Sequence, residues 1–165
     1  MDGLPAKQGL YDPAFEHDAC GIGFVAHVRG VPSHGIVRQG LRVLENLAHR
    51  GGAGCDPCTG DGAGLLVQLP DAFLRAALAA DGVRLPAAGR YAVGMLFLPR
   101  DAEQRRACEL LVERVVAEEG HRVLAWRDVP CDASAAGDVA RASAPVVRQL
   151  FVDARSLRDG ALERR

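Results

Sequence analysis

Tyr91 to Leu98 is an unbroken run of apolar and small residues closed by Pro99. Two residues on, Asp101 opens a helical stripe that stops at Gly120. A short apolar run bounded by proline reads as a buried strand. Cys108, Leu111, Val112, Val115 and Val116 recur with a period of about 3.6 residues, between a capping aspartate and a terminating glycine, and predict a helix. A strand that hands directly to a long helix restricts the fold to helices packed on a sheet. With 165 residues, 48% of them hydrophobic, the chain can bury one sizeable core.

The remaining segments extend that layout. Ile22, Phe24, Ala26 and Val28 alternate with Gly21, Gly23, Val25 and His27, which predicts a strand, broken by Gly30, Pro32 and Gly35. Ile36 to Ala48 predicts a helix with Val37, Leu41, Leu44 and Ala48 on one stripe and Arg38, Arg42 and Glu45 facing away. Gly51 and Gly52 supply its stop. After a glycine-rich turn at Gly60 to Gly64, Leu65, Val67 and Leu69 alternate into a second strand, and Asp71 is placed to cap a short helix through Ala80. Val123 to Trp126 and Val146 to Val152 read as further strands, with residues 130–145 a loop or irregular crossing between them. Ser156 opens a helical pattern that reaches Arg165 without a cap. The expected class is α/β (α+β). Residues 1–19, rich in glycine, proline and charge, read as a leader ahead of a domain over 20–165. The tail reads as cut rather than completed, or else as a frayed terminal helix.

Charge and composition narrow the function. A net charge of −1 with no basic cluster argues against nucleic acid or an anionic membrane as the main partner. The first nineteen residues carry Asp2, Lys7, Asp12, Glu16, His17 and Asp18 and no apolar core, unlike a secretory signal. No run approaches about 18 apolar residues. Five cysteines without a disulfide-framework pattern point to a reducing cytoplasm.

The stretch with the most chemical content is Asp18-Ala19-Cys20-Gly21-Ile22-Gly23-Phe24. Cleavage between Ala19 and Cys20 would make Cys20 a new amino terminus. An internal thiol has a pKa of about 8.5 and no built-in base, whereas a terminal α-amine titrates at roughly 7.7–8.0, close to working pH. Nucleophile and base would then share one residue. The amine stands too close to the sulfur for unstrained direct transfer, so a bridging water carries the proton. On local chemistry alone the other reading is stronger: Cys20 is a small buried hydrophobe at the start of a strand.

Three other features bear on function. His49 and Arg50 stand at a helix end beside Gly51 and Gly52, where backbone can approach closely, although cations at a helix C-terminus also simply favour its dipole. Thr59-Gly60-Asp61-Gly62-Ala63-Gly64 is glycine-rich, but it precedes a strand, whereas a phosphate loop follows one and opens a helix. It reads instead as a tight turn against the active site. Cys55 and Cys58 form a C-x-x-C that suits a redox pair, half a zinc site or two plain loop thiols. His17, His27, His34 and His121 are scattered.

The segment from Leu10 to Phe24 resembles the start of glutamate synthase large subunits, where a propeptide is removed ahead of the cysteine of a class II, N-terminal nucleophile, glutamine amidotransferase domain. His49-Arg50-Gly51-Gly52 and Thr59 to Gly64 are similar to that family's next two blocks. Tyr91 to Pro99, Leu124 to Pro130 and Arg141 to Gln149 continue the likeness in order. The resemblance implies an αββα sandwich, of which this chain holds an incomplete first part. It implies Cys20 as nucleophile with its freed α-amino group as base, Ala19–Cys20 as cleavage site, and Arg50 as an active-site support. The implied substrate is L-glutamine, hydrolysed to supply ammonia for glutamate synthesis from 2-oxoglutarate.

The same resemblance implies the remainder of the glutamate synthase chain and a small subunit as partners. It implies no cofactor in this segment, and FMN, an iron–sulfur cluster and NAD(P)H or ferredoxin in the parent enzyme. The family's Asn-Gly oxyanion pair has no counterpart, since Asn46, followed by Leu47, is the only asparagine. The stretch alone is therefore expected to be a poorly active fragment. Two rival readings remain: a non-catalytic interaction module with half of the fold, and a thiol or zinc protein built on Cys55 and Cys58.

Overall fold

The best-formed part of the chain is an antiparallel sheet in the second of two units, Met1–Leu66 and Val67–Arg165, of the computed structural model. The structure describes Lys7 and residues 21–51, 56, 58–60 and 62–153. Apart from Lys7, the expected leader over 1–19, with Ala19, lies outside the described residues, as do Cys20, Cys55 and the helical pattern from Ser156.

In the second unit, β1 (Tyr91–Leu98) pairs along its whole length with β3 (Val146–Asp153), Tyr91 opposite Asp153 and Leu98 opposite Val146. On the other side of β3 lies β2 (Arg122–Asp128), also antiparallel, with a bulge at Leu124 between Val123 and Ala125. The order is β1-β3-β2. The outer strands therefore run parallel to each other, joined through α3 (Ala102–Glu118), and β3 is inserted later between them as a split β-α-β unit. The expected α/β (α+β) mixture of helix and sheet is present.

Phe151 is fully buried on β3, flanked in register by Val93 and Ala125. It packs with Leu74 and Leu78 of α2 (Asp71–Ala79), with Leu85 and with Tyr91. Alternation turns Arg148 and Leu150 to the opposite face, where α3 lies. Helix α3 keeps both sequence signals. Asp101 accepts from Gln104 N–H at its start, and Gly120 at φ +78° ends it. There the amides of Gly120 and His121 bond back to Ala117 and Val116.

The stripe of α3 is rotated from expectation. Leu111 and Val115 are exposed, and Glu109 is buried at 6% exposure. A polar ring accounts for this. Arg148 Nη1 donates to Glu109 Oε1 at 2.5 Å, and its guanidinium lies 5.2 Å from the Trp126 ring centre. Trp126 Nε1 donates to Glu113 Oε1 at 2.9 Å, and Arg106 stands 3.4 Å from Glu109 and 3.6 Å from Glu113. Arg148 Nε is also 2.7 Å from the exposed Asp128 carboxylate, a further ion pair. A buried carboxylate needs such partners, and the helix turns to provide them.

Two further expectations change. Residues 130–145 contain a short helix, α4 (Asp138–Ser143), with no side-chain cap at its start. Two carbonyls of its last turn, Arg141 and Ala142, accept from Arg100 Nη1, a partner about forty residues away that no local pattern reveals. Asp71 does not cap α2. Its carboxylate instead receives Arg75 Nε and Nη2 at 2.8 and 2.9 Å and the Tyr91 hydroxyl at 2.7 Å. Arg75 also donates to the Leu85 and Pro86 carbonyls, which ties α2, the following loop and β1 together.

The first unit holds α1 (His34–Asn46), capped by the Ser33 side chain, and a turn of 3-10 helix at Ala48–Arg50. The helix thus starts two residues earlier and stops two residues before the expected Ala48. Its half-buried face is Ile36, Val37, Gly40, Val43, Leu44 and Leu47, with Leu41 and Ala48 exposed, a rotation of the expected stripe. The expected strands over Gly21–Val28 and Leu65–Leu69 carry no sheet pairing among the described residues. Alternation marks which side chains share a face, but a strand also requires a ladder partner, and none of the described residues supplies one.

Substituting Phe151→Ala removes the centre of the core and is expected to cost about 3–5 kcal/mol, read by urea unfolding. The Asp71–Tyr91 contact predicts an alkaline limit. Burial, reinforced by the Asp71 carboxylate, pushes the Tyr91 hydroxyl up from 10.0 to about 12. A raised folded-state pKa contributes stability that is complete below the unfolded value and lost as pH rises through the folded one. Melting temperature should therefore fall between pH 10 and about 12, and Tyr91→Phe should flatten that decline.

Candidate functional site

The residues that follow Cys20 lie against one ridge of α1. A Cβ built on Gly23 would stand 2.5 Å from Val43 Cγ1. One built on Gly21 would stand 3.1 Å from Leu47 Cδ2, 3.3 Å from Arg50 Cβ and 3.4 Å from Arg50 Cγ. Val43, Leu47 and Arg50 succeed one another at spacings of four and three, so they form a single line along the helix and its 3-10 extension. Glycine on that side is what lets backbone approach so closely. The other side of the segment, Ile22, Phe24 and Val28, is exposed.

The end of α1 separates its two cations. His49 Nδ1 lies 2.9 Å from the Asn46 carbonyl and donates to it, so this ring closes the helix terminus. Arg50 instead lays the stem of its side chain beside Gly21, while the residue remains exposed. The amide of Arg50 bonds to the Leu47 carbonyl at 2.8 Å, which fixes the direction in which that side chain leaves the turn. The structure thus brings Arg50, and not His49, to the neighbour of Cys20.

On another part of α1, Gly40 admits Leu65, whose Cδ1 would stand 2.9 Å from an added Cβ. The glycine-rich stretch differs from expectation. Gly62 and Gly64 have open space where a Cβ would stand, neither has positive φ, and no turn forms over 62–64. Asp56 organises the chain before it, accepting from the Cys58 amide at 3.0 Å and the Thr59 hydroxyl at 2.9 Å. Cys58 is a free, exposed thiol. Among the described residues no three His, Cys, Asp or Glu side chains gather to hold a metal ion, and no helix is long and apolar enough to cross a membrane. A shallow depression along α1 is lined by Gly35, Arg38, Gln39, Leu41, Arg42 and Glu45.

Val43 and Leu47 are the residues that inspection of the sequence passed over. The signal was present: two glycines at alternate positions on one side of a strand-like segment require something to fill the space they leave.

A glycine-backed segment that follows a cysteine, lying along α1 and the 3-10 turn that ends in His49-Arg50, is joined here by a match to known sequences. The family of class-II glutamine amidotransferases matches residues 20–165, and the chain belongs to it. Among individual proteins, it is 50% identical to the glutamate synthase (NADPH) large chain of Bacillus subtilis over 153 residues, 93% of this chain and 10% of that one. It is 39% identical to the glutamate synthase (NADH) of Schizosaccharomyces pombe over 160 residues, 97% of this chain and 8% of that one. Ferredoxin-dependent glutamate synthase 2 of Synechocystis is 39% identical over 137 residues, 83% and 9% of the two chains. The chain thus spans about a tenth of the length of the curated relatives it matches.

The Gly40 contact makes a testable contrast with the seat of Gly23. Gly40→Ala meets only the tip of a flexible leucine, and alanine gains about 1 kcal/mol over glycine inside a helix. The variant should be neutral or slightly more stable, by up to about 1 kcal/mol in chemical denaturation.

Proposed function

We propose that the chain carries the glutaminase nucleophile of a glutamate synthase, and that this nucleophile is Cys20, exposed by removal of residues 1–19. The observation that carries this reading is that the family match opens on Cys20. The placement of Gly21 against the stem of Arg50 supports it, because it sets the arginine of the His-Arg-Gly-Gly block next to the cysteine's neighbour. The αββα sandwich of N-terminal nucleophile hydrolases is the fold proposed for the whole domain, to which residues 20–165 contribute.

In the proposed reaction the Cys20 α-amine, through a water, takes the thiol proton. The thiolate sulfur attacks the side-chain carboxamide carbon of L-glutamine. The tetrahedral adduct collapses as its nitrogen is protonated and leaves as ammonia, and a γ-glutamyl thioester remains. Water adds to the thioester and releases glutamate, restoring the thiol. Arg50 contributes a fixed positive charge beside the nucleophile, which favours the thiolate. A reducing cytoplasm keeps that sulfur available.

Ammonia is then consumed elsewhere in the protein, where 2-oxoglutarate is converted to a second glutamate. FMN, an iron–sulfur cluster and the electron donors in the relatives' names, NADPH, NADH or ferredoxin, belong to that part of the protein. Its partners are the rest of the synthase chain and a small subunit. No step above uses these groups.

Protein produced in its native reading frame should begin at Cys20 by intact mass. An electrophilic glutamine analogue should modify that residue alone. Cys20→Ala should lower glutaminase turnover on the order of 10,000-fold or more. A mature protein that retains residues 1–19, or an analogue that labels Cys58 instead, overturns the reading.

A further inference from the structure

We propose that Val43 is a positioning residue for the nucleophile: its side chain is the stop against which Gly23 sets the distance between the cysteine-bearing segment and α1. The inference rests on the reading of Cys20 given above and goes beyond it, because it assigns a role to a residue outside the proposed chemistry.

The geometry leaves little freedom. An alanine at position 23 would put its Cβ 2.5 Å from Val43 Cγ1, where ordinary contact begins at 3.4 Å, so about 0.9 Å of movement is needed. A flexible side chain would absorb this by rotating. Val43 cannot do so cheaply, because a β-branched residue in a helix has one strongly preferred χ1 state. Its Cβ is part of a regular helix that Ser33 caps at one end and the 3-10 turn closes at the other. The displacement therefore falls on the backbone of residues 21–24. Gly21 also lies close to Leu47 and Arg50 on the same ridge, so the segment cannot move toward the helix to escape the clash and must shift away from it. Cys20 is one peptide bond from the shifted segment. A misplacement of about 1 Å in reacting groups costs on the order of 100-fold in rate.

The contrast with Gly40 sharpens the assignment. Gly40 also lacks room for a Cβ, but its obstacle is Leu65 Cδ1, the far end of a flexible side chain. Gly30, Gly62 and Gly64 have nothing within 4 Å. At Gly23 the obstacle is both close and stiff, and it is on the segment that continues from the nucleophile.

The test uses the full protein in its native frame and measures glutamine hydrolysis in Gly23→Ala, Val43→Ala and the double variant, with melting temperatures for all. Gly23→Ala should lower kcat on the order of 100-fold and leave KM for glutamine within about 2-fold. Adding Val43→Ala, which removes the obstructing methyl groups, should restore kcat to within about 10-fold of wild type. A non-positional packing defect would lower melting temperature without that selective recovery of kcat. A Gly23→Ala protein with wild-type kcat, or a double variant no faster than Gly23→Ala alone, overturns the role of Val43 while leaving the Cys20 reading intact. A wild-type protein without glutaminase activity overturns both.

Discussion

The closeness of residues 21–23 to α1 is set by what those residues lack. Two missing side chains allow the backbone to lie directly on Val43, Leu47 and the stem of Arg50, and the fit leaves no space for even one carbon at position 23. The segment itself is exposed, so the restriction comes from the one stiff neighbour, Val43, rather than from a surrounding core. On the reading proposed above, the cysteine-bearing segment is positioned by a helix that carries none of the proposed chemistry. The same helix end commits His49 to its own carbonyl and frees Arg50 to lie beside Gly21.

The second unit is stabilised differently on its two faces. One face is apolar, with Phe151 between Val93 and Ala125 and under Leu74 and Leu78. The other is held by charge as well as by packing: Glu109 sits between Arg106 and Arg148, and Glu113 closes the ring through Trp126. Taking one partner from such a ring strands the buried carboxylate, which costs far more than the intact ring contributes. The Asp71–Arg75–Tyr91 clamp works at the edge of the apolar face. The Arg75 guanidinium, then the Tyr91 hydroxyl, hold the Asp71 carboxyl below its ordinary range, so its contribution is present above that range and lost as pH falls through the lowered value.

Strand β1 and helix α3 were legible because their punctuation is local: Pro99, Asp101 and Gly120 each act within a few residues of where they stand. β3 was legible from its apolar run. What escaped was everything decided by a distant partner. The rotation of α3 is set by Arg148 on another strand, α4 ends on Arg100, and Asp71 is drawn from a capping role by Arg75 and Tyr91. Alternation over 21–28 and 65–69 identified the faces but could not supply a neighbouring strand. At the candidate site the Cys20 block and Arg50 came from resemblance to a family, whereas the Val43 ridge required coordinates, because glycine records a close neighbour without naming it.

Trp126 is the only tryptophan in the chain. Its indole has the guanidinium of the neighbouring strand's Arg148 over one face and the Glu113 carboxylate of α3 on its N–H, and that carboxylate leaves if α3 lifts from the sheet. Light emission from this one chromophore therefore registers the docking of a single helix, and does so without any added label.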